Sequence, residues 1–159
     1  MKTATQPRSS AFLLAQVGAH AAAKFAERLS ALDLVPAHAG MLRIIQKSSG
    51  INQQALSSML AMPPSRLVAL VDELEGRGLV ERRNDPEDRR AYALFLTRKG
   101  ADVFEAIGKI SRAHDDAICS ALTEQERELL ASLLGRIAEQ QELTPGVHPG
   151  FSRLGRHGK

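Results

Sequence analysis

The chain has 159 residues, enough for one folded unit with an additional arm, and its hydrophobic fraction of 43% is that of a globular protein. Aromatic residues make up 4% and Trp is absent, so the core must be built from Leu, Ala, Val and Ile, a set that favours helices. A single cysteine, Cys119, excludes an intrachain disulfide and any multi-cysteine zinc site and suits a reducing cytoplasm, and no apolar run reaches membrane-spanning length.

The net charge of +3 is unevenly placed. Lys2, Arg8, Arg153, Arg156 and Lys159 stand in ends that hold no acid, which leaves 16 basic residues against 18 acids between them. Nucleic-acid binding by the body would rest on where its arginines sit, not on their number.

Leu13, Leu14, Val17, Ala21, Phe25 and Leu29 recur at steps of three and four and predict a long helix over 10–32. Its start mimics a secretion signal, with Ala19-His20-Ala21 as the cleavage site. However, Gln16 ends the apolar run and the helical spacing carries on past it. Pro36 suits the first turn of a second helix over 36–48, which carries Met41, Leu42, Ile44 and Ile45. Asn52 is placed to cap a short helix over 53–61, with Ala55, Leu56, Met59 and Leu60 on its buried side.

Pro63 and Pro64 form a tight connection into a further helix. There Leu67, Leu70, Val71 and Leu74 make one apolar stripe, and Gly76 and Gly78 stop it. Residues 80–84 and 91–96 read as two strands around a charged turn. Thr97 begins a long helix to about residue 122, and Thr123 with Glu126 forms a capping box for the last helix. Beyond Thr144 the Pro, Gly, His and Arg residues show no core pattern and read as a mobile basic tail.

A short helix, a tight turn, a striped helix and a hairpin make a winged helix-turn-helix, mainly α with a small β-hairpin wing. On the striped helix Ser65 and Ala69 point away from the core, flanked by Arg66 and Val68. This small, polar N-terminal end fits a helix that enters the major groove by its N-terminus. Ser65 suits a bond to a base edge or phosphate, or a helix cap; Arg66 suits guanine or a phosphate. Asp72 and Glu73 face outward further along, where contact with phosphates would oppose this reading. Arg89 and Arg90 at the hairpin tip suit a narrow minor groove, with Asp85 and Asp88 holding them extended through charge-assisted hydrogen bonds.

The block SRLVALVDELEGRGLVERRNDPEDRRAYALFLTRKG resembles the signature of the MarR (multiple antibiotic resistance regulator) family. The matching pieces are Asp72-Glu73-Leu74-Glu75 with Gly78-Leu79-Val80-Glu81-Arg82, then Asp85-Pro86-x-Asp88-x-Arg90, then Leu96-Thr97-x-x-Gly100. The resemblance implies a homodimer whose dimerisation helices, about 10–32 and 98–142, interlock and present two winged helices, about 36–97, to a pseudo-palindromic double-stranded DNA operator. Residues 1–9 and the basic tail 143–159 flank this 10–142 unit as flexible ends.

By the family pattern Arg90 takes the minor-groove role, Asp88 orients it, and Arg89 is a phosphate contact or a second reader. The family often carries Thr or Arg where this chain has Val68 and Ala69, so base recognition would lean on Ser65 and Arg66. The implied function is a cytoplasmic repressor of a neighbouring operon, released by a small, aromatic or phenolic ligand between the dimerisation helices and the DNA-binding lobe. His38, Met41 and Arg43 are its candidate pocket residues.

An activator of the same fold and a winged helix that binds only protein, without ligand, are the alternatives. No phosphate loop, nucleophile elbow or HExxH motif suggests an enzyme, and no cofactor is implied. No metal site is expected either, because His20, His38 and His114 lack partners at ligand spacing and the carboxylates of Asp115 and Asp116 diverge from their neighbour His114. Cys119 reads as a small buried hydrophobe.

Overall fold

A computed structural model describes residues 9–152. The charged ends named above, Lys2, Arg8, Arg153, Arg156 and Lys159, lie outside the described residues. In chain order the elements are α1 (Ser10–Leu29), a 3₁₀ turn (Ser30–Leu32), α2 (Pro36–Lys47), α3 (Gln53–Met59) and α4 (Pro64–Gly76). The hairpin β1 (Val80–Asn84) and β2 (Tyr92–Leu96) follows, then α5 (Arg98–Ile118), α6 (Glu124–Gln140) and a 3₁₀ turn (Pro149–Ser152).

The helix starts are chemically specified. Asn52 Oδ1 accepts the Ala55 N–H at 2.7 Å, and Thr97 Oγ1 accepts the Gly100 N–H at 2.9 Å. At α6 the Glu126 N–H donates to Thr123 Oγ1 at 3.3 Å, while the Thr123 N–H donates to Glu126 Oε2 at 2.8 Å. α2 begins after Val35, which offers no cap oxygen; the His38 ring bends back and Nδ1 accepts the Val35 N–H at 3.2 Å. In α3 only one of the expected ridges turns inward. Leu56 and Leu60 are buried, whereas Ala55 and Met59 are exposed, since seven residues offer a single inward ridge and Met62 fills the next place in the core.

That core belongs to the winged helix. Leu42 and Ile45 of α2, Leu56 of α3 and Leu67, Val71 and Leu74 of α4 are all at most 1% exposed. Val80 and Leu94 seal it from the hairpin. Complete burial of each such side chain contributes about 1.5–3 kcal/mol. The hairpin is antiparallel, with Val80 opposite Leu96 and Arg82 opposite Leu94. Its second edge is covered too: the Gly50 N–H donates to the Leu94 carbonyl and the Leu94 N–H to that of Ile51, both at 2.9 Å. Of the long helices outside the lobe, α5 contributes Ile107 to the core and α6 contributes no buried residue.

The turn from α4 into β1 is locked to the start of α5. Gly78, at φ +71°, ends the helix, and its carbonyl accepts the Thr97 hydroxyl at 2.6 Å. A Cβ on Gly100 would stand 1.9 Å from the Leu79 carbonyl oxygen, so only glycine lets α5 approach this closely. These contacts give the Leu96-Thr97-x-x-Gly100 motif its physical content: it fixes the root of the wing.

Residues 143–152 differ from the expected patternless tail. Val147 and Phe151 pack against the core, and the Phe151 ring lies where a Cβ on Gly40 would come within 2.5 Å of it. Phe151 can dock without a helical pattern around it because Gly40 of α2 leaves room for its ring.

Candidate nucleic-acid interface

α4 presents its first two turns outward. Ser65, Val68 and Ala69 are exposed and Arg66 is half-buried. Ser65 does not cap the helix: Pro63 occupies that position and Ser65 lies within the first turn, so its hydroxyl is not committed to capping. Val68, 39% exposed, lines a cleft of about 390 Å³ together with Gln53, Gln54, Asp88, Arg90 and Tyr92. The structure thereby brings the middle of α4 and the wing to one concave surface. Gln54 and Tyr92 had not been singled out from the sequence; the signal was available, since strand alternation turns Tyr92 away from buried Ala93.

The wing is shaped by its acids, but not through the guanidinium groups as expected. Asp88 Oδ1 accepts the backbone N–H of Arg90 at 2.9 Å, and Asp85 Oδ1 accepts that of Glu87 at 2.9 Å. The Asp85 N–H closes the loop onto the Ala91 carbonyl at 3.1 Å. These are Asx turns, which fix the backbone path and leave the arginine side chains to solvent. Among the described residues, neither Arg89 nor Arg90 has a carboxylate within ion-pair distance, and both are exposed. An exposed, unpaired guanidinium on a fixed turn is available for a phosphate or a groove edge.

The acids of α4 are all engaged within the protein. Arg82 bonds Asp72 at 2.6 Å and Glu75 at 2.5 Å, and His38 Nε2 lies 2.9 Å from Glu73. Because His38 Nδ1 accepts from Val35, Nε2 carries the proton and donates it to Glu73. Burial pushes the His38 pKa below its ordinary value, with the Glu73 carboxylate opposing the shift. Arg77 anchors the far end of α4 by donating to the carbonyls of Asp33 at 2.6 Å and Leu32 at 2.8 Å. Asp72 and Glu73, which faced outward on the helical wheel, thus have partners on β1 and α2.

The three expected pocket residues separate. His38 and Met41 are buried in the lobe, 5% and 0% exposed. Arg43 instead lines a cavity of about 1030 Å³ between α1, α2, α6 and the C-terminal segment, beside Phe25, Ala138, Val147 and Phe151. A Cβ on Gly146, at φ +72°, would stand 3.2 Å from a nitrogen of the Arg43 guanidinium, closer than an ordinary contact. The His114 ring packs against Phe25 in a tilted arrangement with centroids 5.3 Å apart, and Cys119 is half-buried at the end of α5.

Comparison with known proteins agrees with this architecture. Residues 32–91 match the model of the MarR family. The chain is 32% identical over 123 residues to a putative transcriptional regulatory protein for the hcr operon of Thauera aromatica, spanning 77% of this chain and 74% of that protein. It is 30% identical over 105 residues to the transcriptional regulator HosA of Escherichia coli O111:H-, spanning 66% and 78%. Among solved structures, wild-type MarR from E. coli in its apo form aligns with a TM-score of 0.76 at 25% identity, over 84% of this chain and 98% of that one. The transcriptional repressor CouR bound to a 23-mer DNA duplex aligns with a TM-score of 0.75 at 29% identity, over 87% and 98%. The chain belongs to the MarR family of winged helix-turn-helix transcriptional regulators, which are DNA-binding proteins and not enzymes.

Proposed function

We propose that this protein is a homodimeric, cytoplasmic repressor of a neighbouring operon, released from a pseudo-palindromic operator by a small molecule. The observation that carries the proposal is the shared cleft of Val68 and Arg90, which sets a groove-reading helix beside a wing with unpaired guanidinium groups. Ser65, Arg66, Val68 and Ala69 face the major groove, Arg90 enters the minor groove, and Arg89 contacts phosphate. Asp85 and Asp88 hold the wing backbone for them. CouR is named a transcriptional repressor, and a MarR mutant from E. coli is known in complex with operator DNA, with a TM-score of 0.69 and 26% identity to this chain.

Homodimerisation is supported by apolar side chains that one chain leaves uncovered: Phe12 and Val17 on α1, and Leu129, Leu133 and Ile137 on α6. In this division residues 10–32 and 98–142 dimerise, and 36–97 read DNA. Two half-sites one helical turn apart require the two lobes to stand about 34 Å from each other. The cavity beside Arg43 suits a small aromatic acid. Such a ligand releases DNA if it binds better to a dimer whose recognition helices miss that spacing.

The test is titration of the purified protein against a duplex from upstream of its own gene and against a scrambled one, at two salt concentrations. Wild type is expected to prefer the first duplex, and Arg90→Ala to weaken that binding about tenfold with the fold intact. Equal, salt-sensitive binding of both duplexes by both proteins would leave only non-specific electrostatics.

A further inference from the structure

Asp72 and Glu75 pose a problem for any helix that reads DNA. Seven residues return an α-helix to within about 20° of the same direction, so Asp72 shares the face of Ser65 and stands about 10 Å behind it along the axis. Val68 and Ala69 lie between them, and Glu75 follows one turn later. The face offered to the groove therefore runs into two carboxylates, 60% and 42% exposed. The setback of Asp72 is comparable with the screening length of about 8–10 Å at moderate salt and that of Glu75 is about 15 Å, so unpaired charges there would repel the DNA backbone, Asp72 the more strongly.

One side chain answers both charges. Arg82 Nη2 donates to Asp72 Oδ1 at 2.6 Å, Nη1 to Glu75 Oε2 at 2.5 Å, and Nε to Gln53 Oε1 at 2.6 Å. The arginine side chain is only 14% exposed. Burial disfavours its charge, but the two carboxylates more than offset this and raise its pKa. It projects from β1 opposite Leu94, so a single guanidinium ties α3, α4 and the wing together. A planar fork with several donors can hold three acceptors in this way, which a lysine ammonium on a flexible stem cannot reproduce.

We propose that Arg82 is a positioning residue for DNA recognition: it masks the carboxylates on the recognition face and fixes the wing against α4. It rests on the DNA-binding function above and adds no DNA contact of its own.

The test uses the full chain and a labelled duplex selected by the wild type from a random library. Affinity is read by fluorescence anisotropy across a salt series, and amide hydrogen exchange is read without DNA. R82Q is expected to bind about 30-fold more weakly and to exchange faster across β1, β2 and α3, because it leaves two carboxylates unpaired beside the phosphates. Adding D72N and E75Q to R82Q is expected to recover about tenfold, since the repulsion goes even though the tie is not restored.

That recovery separates masking from a merely structural role, which charge removal would not repair. R82K, which keeps the charge, is expected to lose about fivefold and serves if R82Q does not fold. R82Q that binds like wild type overturns the proposal, as does a triple variant no tighter than R82Q. If the wild type selects no duplex, the DNA-binding function itself fails. The tie is then judged by exchange alone, and unchanged exchange in R82Q overturns it.

Discussion

The DNA-binding lobe and the helical arm carry the same kind of pattern but complete it differently. In α4, Leu67, Leu70, Val71 and Leu74 are at most 8% exposed, covered by α2, α3 and the hairpin of their own chain. In α6, Leu129, Leu130, Leu133, Leu134 and Ile137 follow the same steps of three and four and remain 37–59% exposed. Apolar periodicity states that a face needs covering; it does not state what covers it. The lobe is finished by its own sequence; in the proposed homodimer a second copy finishes the arm.

The largest effect should come from spoiling the arm while sparing the lobe. Leu133→Asp combined with Ile137→Asp places two charges on the uncovered α6 face, away from every residue of the lobe core. Sedimentation is expected to show a monomer, with far-ultraviolet circular dichroism still reporting a folded lobe. Operator affinity should fall by about 1,000-fold, because two half-sites are no longer engaged by one molecule. A variant that stays dimeric and binds normally would remove α6 from the interface.

Next in size is a contrast between two glycines. Gly100→Ala is expected to cost about 3 kcal/mol, because its Cβ would collide with the backbone oxygen of Leu79 and only backbone movement relieves that. Gly135 in α6 has nothing within 4 Å of its Cβ position in the single chain. There alanine should gain up to about 1 kcal/mol from helix propensity. Urea unfolding of both variants measures the difference. A loss at Gly135 in place of the gain would mean that a second copy presses against this stretch of α6, which would sharpen the contrast with the lobe.

What could be read in advance follows the same division between local and remote causes. The α4 stripe, the Asn52 and Thr97 caps and the Thr123–Glu126 box were legible because each depends on residues within a turn or two. The Arg82 tie was not, since it joins positions 7, 10 and 29 residues away that meet only when the hairpin docks. Its one advance signal was strand parity, which puts Arg82 on the same side as buried Val80. Phe151 escaped for a different reason. A lone aromatic among Pro, Gly and His has no period, and its niche exists only because residue 40 lacks a side chain.

The smallest expected effect concerns pH and lies inside the lobe. His38 joins the start of α2 to the middle of α4, and burial holds its pKa below the ordinary value of about 6.5, against the pull of Glu73. The unfolded chain thus takes up a proton near that pH, while the folded chain does so only in stronger acid. The stabilisation is fully present above the unfolded pKa and is lost as pH falls through the folded one. His38→Gln removes the titrating ring, so its stability should fall less than that of wild type between about pH 8 and pH 5.5, by under about 1 kcal/mol. His114 in α5 is also held low, by desolvation first and by Arg28 second, so it adds an acid dependence of the same sign from the arm. Adding His114→Gln should flatten the profile further. If the single variant keeps the full wild-type slope, His38 is not what makes the lobe acid-sensitive.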